Sequence, residues 1–356
     1  MPVGRVYLKN FRNFTEADLN FSYKNTIVLG KNGSGKTSLI EALNLLLSGK
    51  SLRTSDLKEC IKDVKNGFQL YLEGKANKED LKIKSEKLRN KRITIQRKIG
   101  NSPVKKENVP MGQLILAQDL RMLEGEPDIR RNFFNSNMFH VEQNSLVSHN
   151  LYKKSLVQRN MSLKRKSSKE ELNIWTEKLI EEGEVLAQKQ RSFFEKVKGV
   201  IIELRSEADK NKELYFLENL NVSFQKGWPD STSLRDAYSN LIVRDRALGY
   251  SSAGPHRFDI RFGIGNKLAK SILSRGQQKL LILLIFFRLE EIIIENHREG
   301  VIYLIDDLTA ELDDVNLPYA LKEIKKLKSQ SIVTVISGKN IAKSSPLFKE
   351  FKQINL

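Results

Sequence analysis

Apolar and polar positions change their period several times along this chain. Val6 and Leu8 alternate with polar neighbours, as in a half-buried strand, and Thr26-Ile27-Val28-Leu29 reads as a fully buried one. Gly30 opens a glycine-rich loop. Leu39, Ile40, Leu43, Leu46 and Leu47 then recur at helical spacing, and Ser48-Gly49 supplies a helix stop, which predicts an amphipathic helix. Phe68/Leu70/Leu72, Leu81/Ile83 and Ile93/Ile95 alternate with polar residues. They predict a small antiparallel sheet with one wet, basic face.

Beyond residue 140 the pattern changes. Glycine and proline thin out, charge rises, and Leu172, Leu179, Leu186, Phe193 and Val200 recur every seven residues. That spacing fits a helical hairpin packed on its own domain and a short projecting coiled coil equally well. The intermediate positions Glu182 and Lys189 are poor, and Gly183 interrupts the run. After a polar stretch near 226–236 the apolar segments return. Leu280–Phe287 reads as a buried helix, and Val301–Ile305 and Ile332–Ile336 read as parallel strands bounded by Gly300 and Gly338.

Composition narrows the class. In 356 residues, 61 Lys+Arg stand against 43 Asp+Glu, a formal net charge of +18. The single cysteine, Cys60, excludes a disulfide framework and a cysteine zinc site. The four histidines form no metal-ligand pattern. No apolar run is long enough to cross a membrane, so a cytoplasmic protein is expected. The charge suits polyanions, or simply a lysine-rich solvated surface. Its distribution is uneven. Segment 81–100 carries eight bases against Glu86, segment 151–170 seven against Glu170, and 301–316 five acids and no base. Clustered charge of this kind suits a phosphate-tracking surface.

Gly30-Lys31-Asn32-Gly33-Ser34-Gly35-Lys36-Thr37, followed by Ser38, fits the P-loop pattern between a strand and a helix. Backbone N–H groups would close around phosphates, Lys36 would reach the β/γ-phosphates and Thr37 would hold Mg²⁺. The run Val301–Ile305 ends in Asp306-Asp307, the Walker B pattern. Asp306 would hold the Mg²⁺ and Asp307 would orient the attacking water. Leu273-Ser274-Arg275-Gly276-Gln277-Gln278 precedes the apolar helix, and Ala310-Glu311-Leu312-Asp313 follows the Walker B strand. In this order the four segments resemble the P-loop, signature, Walker B and D-loop of ABC ATPases. A signature of that kind acts on a partner's nucleotide, so two protomers would pack head to tail around two ATPs.

The resemblance extends from end to end. Leu8-Lys9-Asn10-Phe11-Arg12-Asn13-Phe14, Ser51-Leu52-Arg53-Thr54, Arg130-Arg131-Asn132-Phe133, Phe224-Gln225-Lys226-Gly227-Trp228 and Gly254-Pro255-His256-Arg257 resemble elements of the RecF family of bacterial recombination-repair ATPases, relatives of the SMC heads. Leu273-Ser274-Arg275-Gly276-Gln277 is that family's form of the signature.

The resemblance implies an α/β fold: an ABC-type P-loop ATPase head, with a mixed central sheet, helices and a small antiparallel sheet, carrying an inserted helical arm. The head would span 1–125 and 250–356, and the arm 126–249. It implies ATP and Mg²⁺ as cofactors and slow DNA-stimulated hydrolysis. It also implies ATP-dependent homodimerisation on duplex DNA near single-strand gaps, and work with the RecO and RecR mediators to load recombinase. Arg12 would contact nucleotide phosphate in cis, and Ser274, Arg275, Gly276 and Gln277 the partner's nucleotide. Gln118, within Leu116-Ala117-Gln118 where the family usually has "SPED", falls at the Q-loop position and would serve catalysis and the metal. Ser337 falls where many ABC proteins have a switch histidine. Arg130 and Arg131 fit a DNA-facing or a solvated helix face. Two other readings fit the motif order: a transporter's ABC subunit, and a non-enzymatic DNA-binding scaffold. The 238-residue gap from Lys36 to Ser274 opposes the first, and intact Lys36, Thr37 and Asp306 oppose the second.

Overall fold

The computed structural model describes residues 2–21, 24–142, 144–297, 299–336 and 346–356. It divides into two compact units, one formed by 1–120 with 275–356 and the other by 121–274.

The first unit holds two sheets. A parallel sheet has the order Lys352–Asn355, Asn25–Gly30, Gln330–Ile336, Val301–Ile305, Met111–Ile115. Its inner strands are apolar on both faces, which suits burial between layers. The register Ile305↔Val333 and Ile336↔Gly30 brings the ends of three strands together at the P-loop. The second sheet is antiparallel and six-stranded, running from Phe14–Asn20 through Arg5–Phe11, Gly67–Ala76, Glu79–Leu88 and Thr94–Ile99 to Ser102–Pro103.

The helix Lys36–Ser48 was expected to be amphipathic. Instead it is buried on almost every side, from Ser38 through Leu47. Leu39, Leu43 and Leu46 share one apolar cluster with Leu70, Leu72 and Ile83 of the antiparallel sheet and with Ile302, Leu304 and Ile332 of the parallel one. A helix packed between two sheets has no solvent face to mark. Gly49 ends it in the left-handed conformation (φ 77°), donating its N–H to the Leu45 carbonyl.

The outer face of the antiparallel sheet is less basic than the segment count suggested. Lys82, Lys84 and Lys98 are exposed there; Lys82 faces Lys98 on one neighbouring strand and Glu73 on the other. Arg5 bonds Asp18 on the adjoining strands. Lys87 and Arg97 turn inward: Lys87 Nζ donates to the Leu88 and Lys91 carbonyls, and burial lowers the pKa of Arg97.

The second unit is built on helices Pro127–Val141, Ser145–Arg165 and Lys169–Ala208, with a three-stranded antiparallel sheet of Lys267–Leu268, Asp259–Ile264 and Leu220–Gln225. The 40-residue helix is ~60 Å long at ~1.5 Å per residue. All five heptad residues are buried, and their companions lie four positions on: Gly183, Gln190, Val197 and Leu204 are buried too. Gly183 does not break this helix. It admits Tyr152 and Leu234, since a Cβ there would stand 2.8 Å from Leu234 Cδ2.

The unit boundaries fall at 121 and 274 rather than 126 and 249. The cause is strand pairing. Asp259–Ile264 pairs with Leu220–Gln225 along its whole length, from Asp259↔Gln225 to Ile264↔Leu220, so residues 250–274 fold with the helical unit.

Candidate nucleotide-binding site

The P-loop follows the strand Asn25–Gly30 and caps the helix Lys36–Ser48. Gly35 holds φ 107° at the helix N-cap. A Cβ there would lie 2.7 Å from Phe14 Cζ and 2.8 Å from Asn13 Nδ2, so only glycine fits. Lys36 is 6% exposed, and its ammonium donates to the Gly30 carbonyl at 2.9 Å and the Lys31 carbonyl at 3.0 Å. The side chain therefore arches back over its own loop.

A cavity of about 590 Å³ opens above the loop. Asn32, Gly33, Gly35, Lys36, Thr37 and Ser38 line it, with Arg12 and Asp307. Asn13, Arg53 and Lys62 also reach it; the first two lie in segments that resemble the family's, and none was assigned a role from the sequence. Glu59, Ile61 and Asp63 complete the wall, so the cations Arg12, Lys36, Arg53 and Lys62 face the carboxylates of Glu59, Asp63 and Asp307, and the P-loop amides add the donors that a polyphosphate site requires.

Arg12 adopts a left-handed backbone conformation (φ 52°). Its guanidinium clasps Glu41 at 2.8 and 2.7 Å and donates to the Glu59 carbonyl at 2.8 Å. Glu41, on the P-loop helix, is fully buried. Burial alone would push its carboxyl up, but Arg12 and the Ser51 hydroxyl hold it below the ordinary range. Cys60 packs 4.0 Å from the same carboxylate, and burial and that charge push its thiol up. Glu41 was invisible to motif reading because it sits in a run of helix residues that looks purely structural.

Asp306 and Asp307 are joined through Thr334 of the neighbouring strand. The Thr334 hydroxyl donates to Asp306 Oδ1 at 2.8 Å and accepts from the Asp307 N–H at 2.7 Å. Asp307 turns into the left-handed region (φ 53°) and lines the cavity. Asp306 does not line it. Thr334 was missed because nothing in a buried β-strand marks one polar residue as structural to a site.

The remaining expected residues lie elsewhere. Gln118 is exposed on the turn after Met111–Ile115, the strand beside Val301–Ile305, and does not line the cavity. Arg275, Gly276 and Gln277 open the helix Arg275–Arg288 and do not line it either; Ser274 ends the second unit. A Cβ on Gly276 would overlap Asp313 Oδ2, so the signature helix and the D-loop are in direct contact. Asp313 in turn accepts from the Asn316 backbone and side chain at 2.8 Å. Ser337 lies outside the described residues. Arg130 and Arg131 serve the fold: Arg130 clasps Asp259 at 2.7 and 3.0 Å, and Arg131 donates to the Phe258 carbonyl.

The residues fit Mg²⁺ and a nucleoside triphosphate. A glycine cradle that a side chain would fill, a buried lysine and a hydroxyl at Thr37 stand at the helix start, with two carboxylates on the adjoining strand end. Among the described residues no group of three or more His, Cys, Asp or Glu forms a separate metal site.

Sheet order, P-loop and Walker B strand define an ABC-type P-loop ATPase fold. The family described as RecF/RecN/SMC N terminal domain matches residues 2–355. The "DNA replication and repair protein RecF" of Salmonella schwarzengrund (strain CVM19633) is 30% identical over 343 residues, 96% of this chain and 94% of its own. That of Histophilus somni (strain 2336) is 30% identical over 352 residues, 97% and 96% of the two chains. A solved structure of "the recombination mediator protein RecF-ATP in RecFOR pathway" superposes with a TM-score of 0.75 at 23% identity, covering 95% of this chain and 92% of that one. An SMC head bound to the C-terminal winged-helix domain of ScpA gives 0.53 at 15% identity, covering 95% and 90%. The chain belongs to the RecF family, within the wider RecF/RecN/SMC group. No described helix is long and apolar enough to cross a membrane.

Proposed function

We propose that this chain is an ATP-driven switch in DNA replication and repair. Its nucleotide unit binds Mg-ATP, and two copies pack head to tail on duplex DNA near single-strand gaps. Slow hydrolysis, stimulated by DNA, resets the pair. In this role it assists the RecR and RecO mediators in loading recombinase. The observation that carries this reading is the cavity at the P-loop, walled by Lys36, Thr37, Arg12 and Asp307. The RecF relatives' names and the ATP-bound RecF structure support it. So does the signature helix, which lies away from that cavity yet touches the D-loop Asp313. A signature that does not line its own site fits the family's head-to-tail arrangement.

In this mechanism the P-loop N–H groups and the helix N-terminus receive the phosphates. Lys36 exchanges the Gly30 and Lys31 carbonyls for phosphate oxygens, and Arg12, held by Glu41, presents charge at the rim. Thr37 and Asp306 would hold Mg²⁺, which neutralises charge on the transferring phosphoryl group. Thr334 fixes the Asp306 carboxylate and the Asp307 backbone together, so the residue that orients water moves with the residue that holds metal. Asp307 carries a shorter acid than the glutamate of most ABC ATPases, which suits slow turnover. Ser274, Arg275, Gly276 and Gln277 would close on the partner's nucleotide. Gln118 would approach the metal and γ-phosphate only after a rearrangement of its turn. The helical unit would serve as the arm, and exposed bases outside the Ser145–Arg165 helix would contact phosphates without reading sequence.

The test is phosphate release with and without gapped duplex, together with DNA binding across a salt series. The reading expects weak ATPase activity raised by DNA, and affinity that falls steeply with salt and shows little sequence preference. Full ATPase activity in Lys36→Ala would overturn it.

A further inference from the structure

The helix Ser145–Arg165 is inverted relative to an ordinary surface helix. Its buried face carries Ser145, Ser148, Tyr152, Ser155, Arg159 and Ser162, with Leu163 at its end. Its exposed face carries the large apolar side chains: Leu146 is 50% exposed, Val147 56%, Leu151 41%, Val157 48% and Met161 38%. At ~100° per residue these five fall within one arc of about 140°. The cations share that side. Lys153, Lys154, Lys164 and Arg165 are all exposed, and the helix contains no acidic residue. At its C-terminal end a cavity of about 380 Å³ is lined by Leu163, Leu172 and Ala247, with Lys166 and Arg246.

A helix that hides serines and shows leucine, valine and methionine has its second partner outside this chain. The mixture says what kind. Nucleic-acid phosphates would use the cations and leave the apolar residues in water. A second copy is disfavoured by charge: an antiparallel pairing about the stripe's midpoint sets Lys153 and Lys154 against themselves, and a parallel one aligns every cation with its like. An anionic membrane surface would take the stripe, but the face lacks the Trp or Phe anchors of interfacial helices. We infer that this face docks a protein that presents an apolar stripe flanked by Asp and Glu, with acidic or apolar side chains entering the Lys166–Arg246 cavity. The inference does not depend on the nucleotide site.

The test uses the full chain and a synthetic 21-residue helical peptide with leucine at heptad a and d positions and glutamate on both flanks, labelled for anisotropy. The expected result is saturable binding, weakened tenfold or more by Val147→Asp with Val157→Asp, and weakened at low salt by Lys153→Glu with Lys154→Glu. Both pairs lie on the exposed face, and circular dichroism checks that they fold. A peptide with lysine in place of glutamate should not bind. The proposal is overturned if the acidic peptide fails to bind, or binds the variants as well as the parent. It is also overturned if vesicles of phosphatidylglycerol, duplex DNA or self-association, and not the peptide, are what the Val147/Val157 variant loses.

Discussion

Both units bury a carboxylate against an arginine, and the two pairs are treated differently. In the nucleotide unit Glu41 is wholly buried while the Arg12 side chain remains 16% exposed at the cavity rim. In the helical unit Arg159 and Asp245 are both fully buried, 2.8 Å apart. There polar neighbours meet Arg159 Nε and Nη1, while its Nη2 is buried without a hydrogen-bond partner among the described residues. Arg159 bonds Ser251 and Thr176 and lies 4.7 Å from the Tyr238 ring, and Asp245 accepts from the Ser252 N–H and hydroxyl. The first pair leaves its guanidinium partly open to the cavity. The second spends its charge on holding helices Ser145–Arg165, Lys169–Ala208 and Ile242–Leu248 to one another. A buried ion pair says little until the exposure of each partner is known.

Substitutions should separate the two roles. Asp245→Ala strands a buried guanidinium and should cost ~3–5 kcal/mol of unfolding free energy in urea. The ATP affinity of the folded fraction should be unchanged, and a parallel loss of affinity would break the distinction. Lys36→Ala should do the reverse: ATP affinity measured by calorimetry falls on the order of 100-fold, ~2.7 kcal/mol, with the unfolding midpoint barely moved. Glu41→Gln keeps the shape but loosens Arg12. It should weaken ATP about tenfold, ~1.4 kcal/mol, and Glu41→Asp should recover part of that. An unaltered affinity would make the pair purely structural.

The smallest effect concerns pH. Tyr152 bonds His256 Nδ1 at 2.6 Å, and burial holds His256 down at about 4. The unfolded chain takes up that proton near ~6.5, so stability should fall as pH drops from about 6.5 towards 4. Burial pushes Asp119 in the nucleotide unit up to about 6, against hydrogen bonding from the Leu116 N–H. Its contribution has the opposite sign, being present below ~3.8 and lost as pH rises through 6. Urea curves between pH 4.5 and 7 should therefore flatten in one direction for His256→Asn and in the other for Asp119→Asn, each by about 1 kcal/mol. Identical slopes in both variants and the parent would dismiss both assignments.

Much of this molecule was readable from the chain, for physical reasons. The P-loop and the Val301–Ile305 strand are local patterns whose chemistry demands fixed spacing, so the fold class and the place of the candidate cavity followed from them. What was unreadable depended on neighbours distant in sequence. The antiparallel sheet's face looked basic because segment 81–100 was counted without Glu73 on the strand beside it. The companion row of the 40-residue helix was sought at Glu182 and Lys189, three residues from the heptad leucines, whereas the helix uses Gly183 and Gln190. Glycine reads as a break until Tyr152 and Leu234 are seen to need the room. Arg12 was legible as a cation beside the P-loop, but not as one clasped by Glu41. Residues 250–274 looked like part of the nucleotide unit because their partner strand, Leu220–Gln225, precedes them across two helices.

The central claim is that nucleotide joins two copies of this chain. Sedimentation velocity on the full-length protein tests it most directly, with no nucleotide, with Mg-ATP, and with Mg-ATP plus gapped duplex. Monomer without nucleotide is expected, with a dimer in ATP that is strengthened by the duplex and absent in Lys36→Ala. A monomer under all three conditions, or a dimer at full strength in Lys36→Ala, would contradict the account.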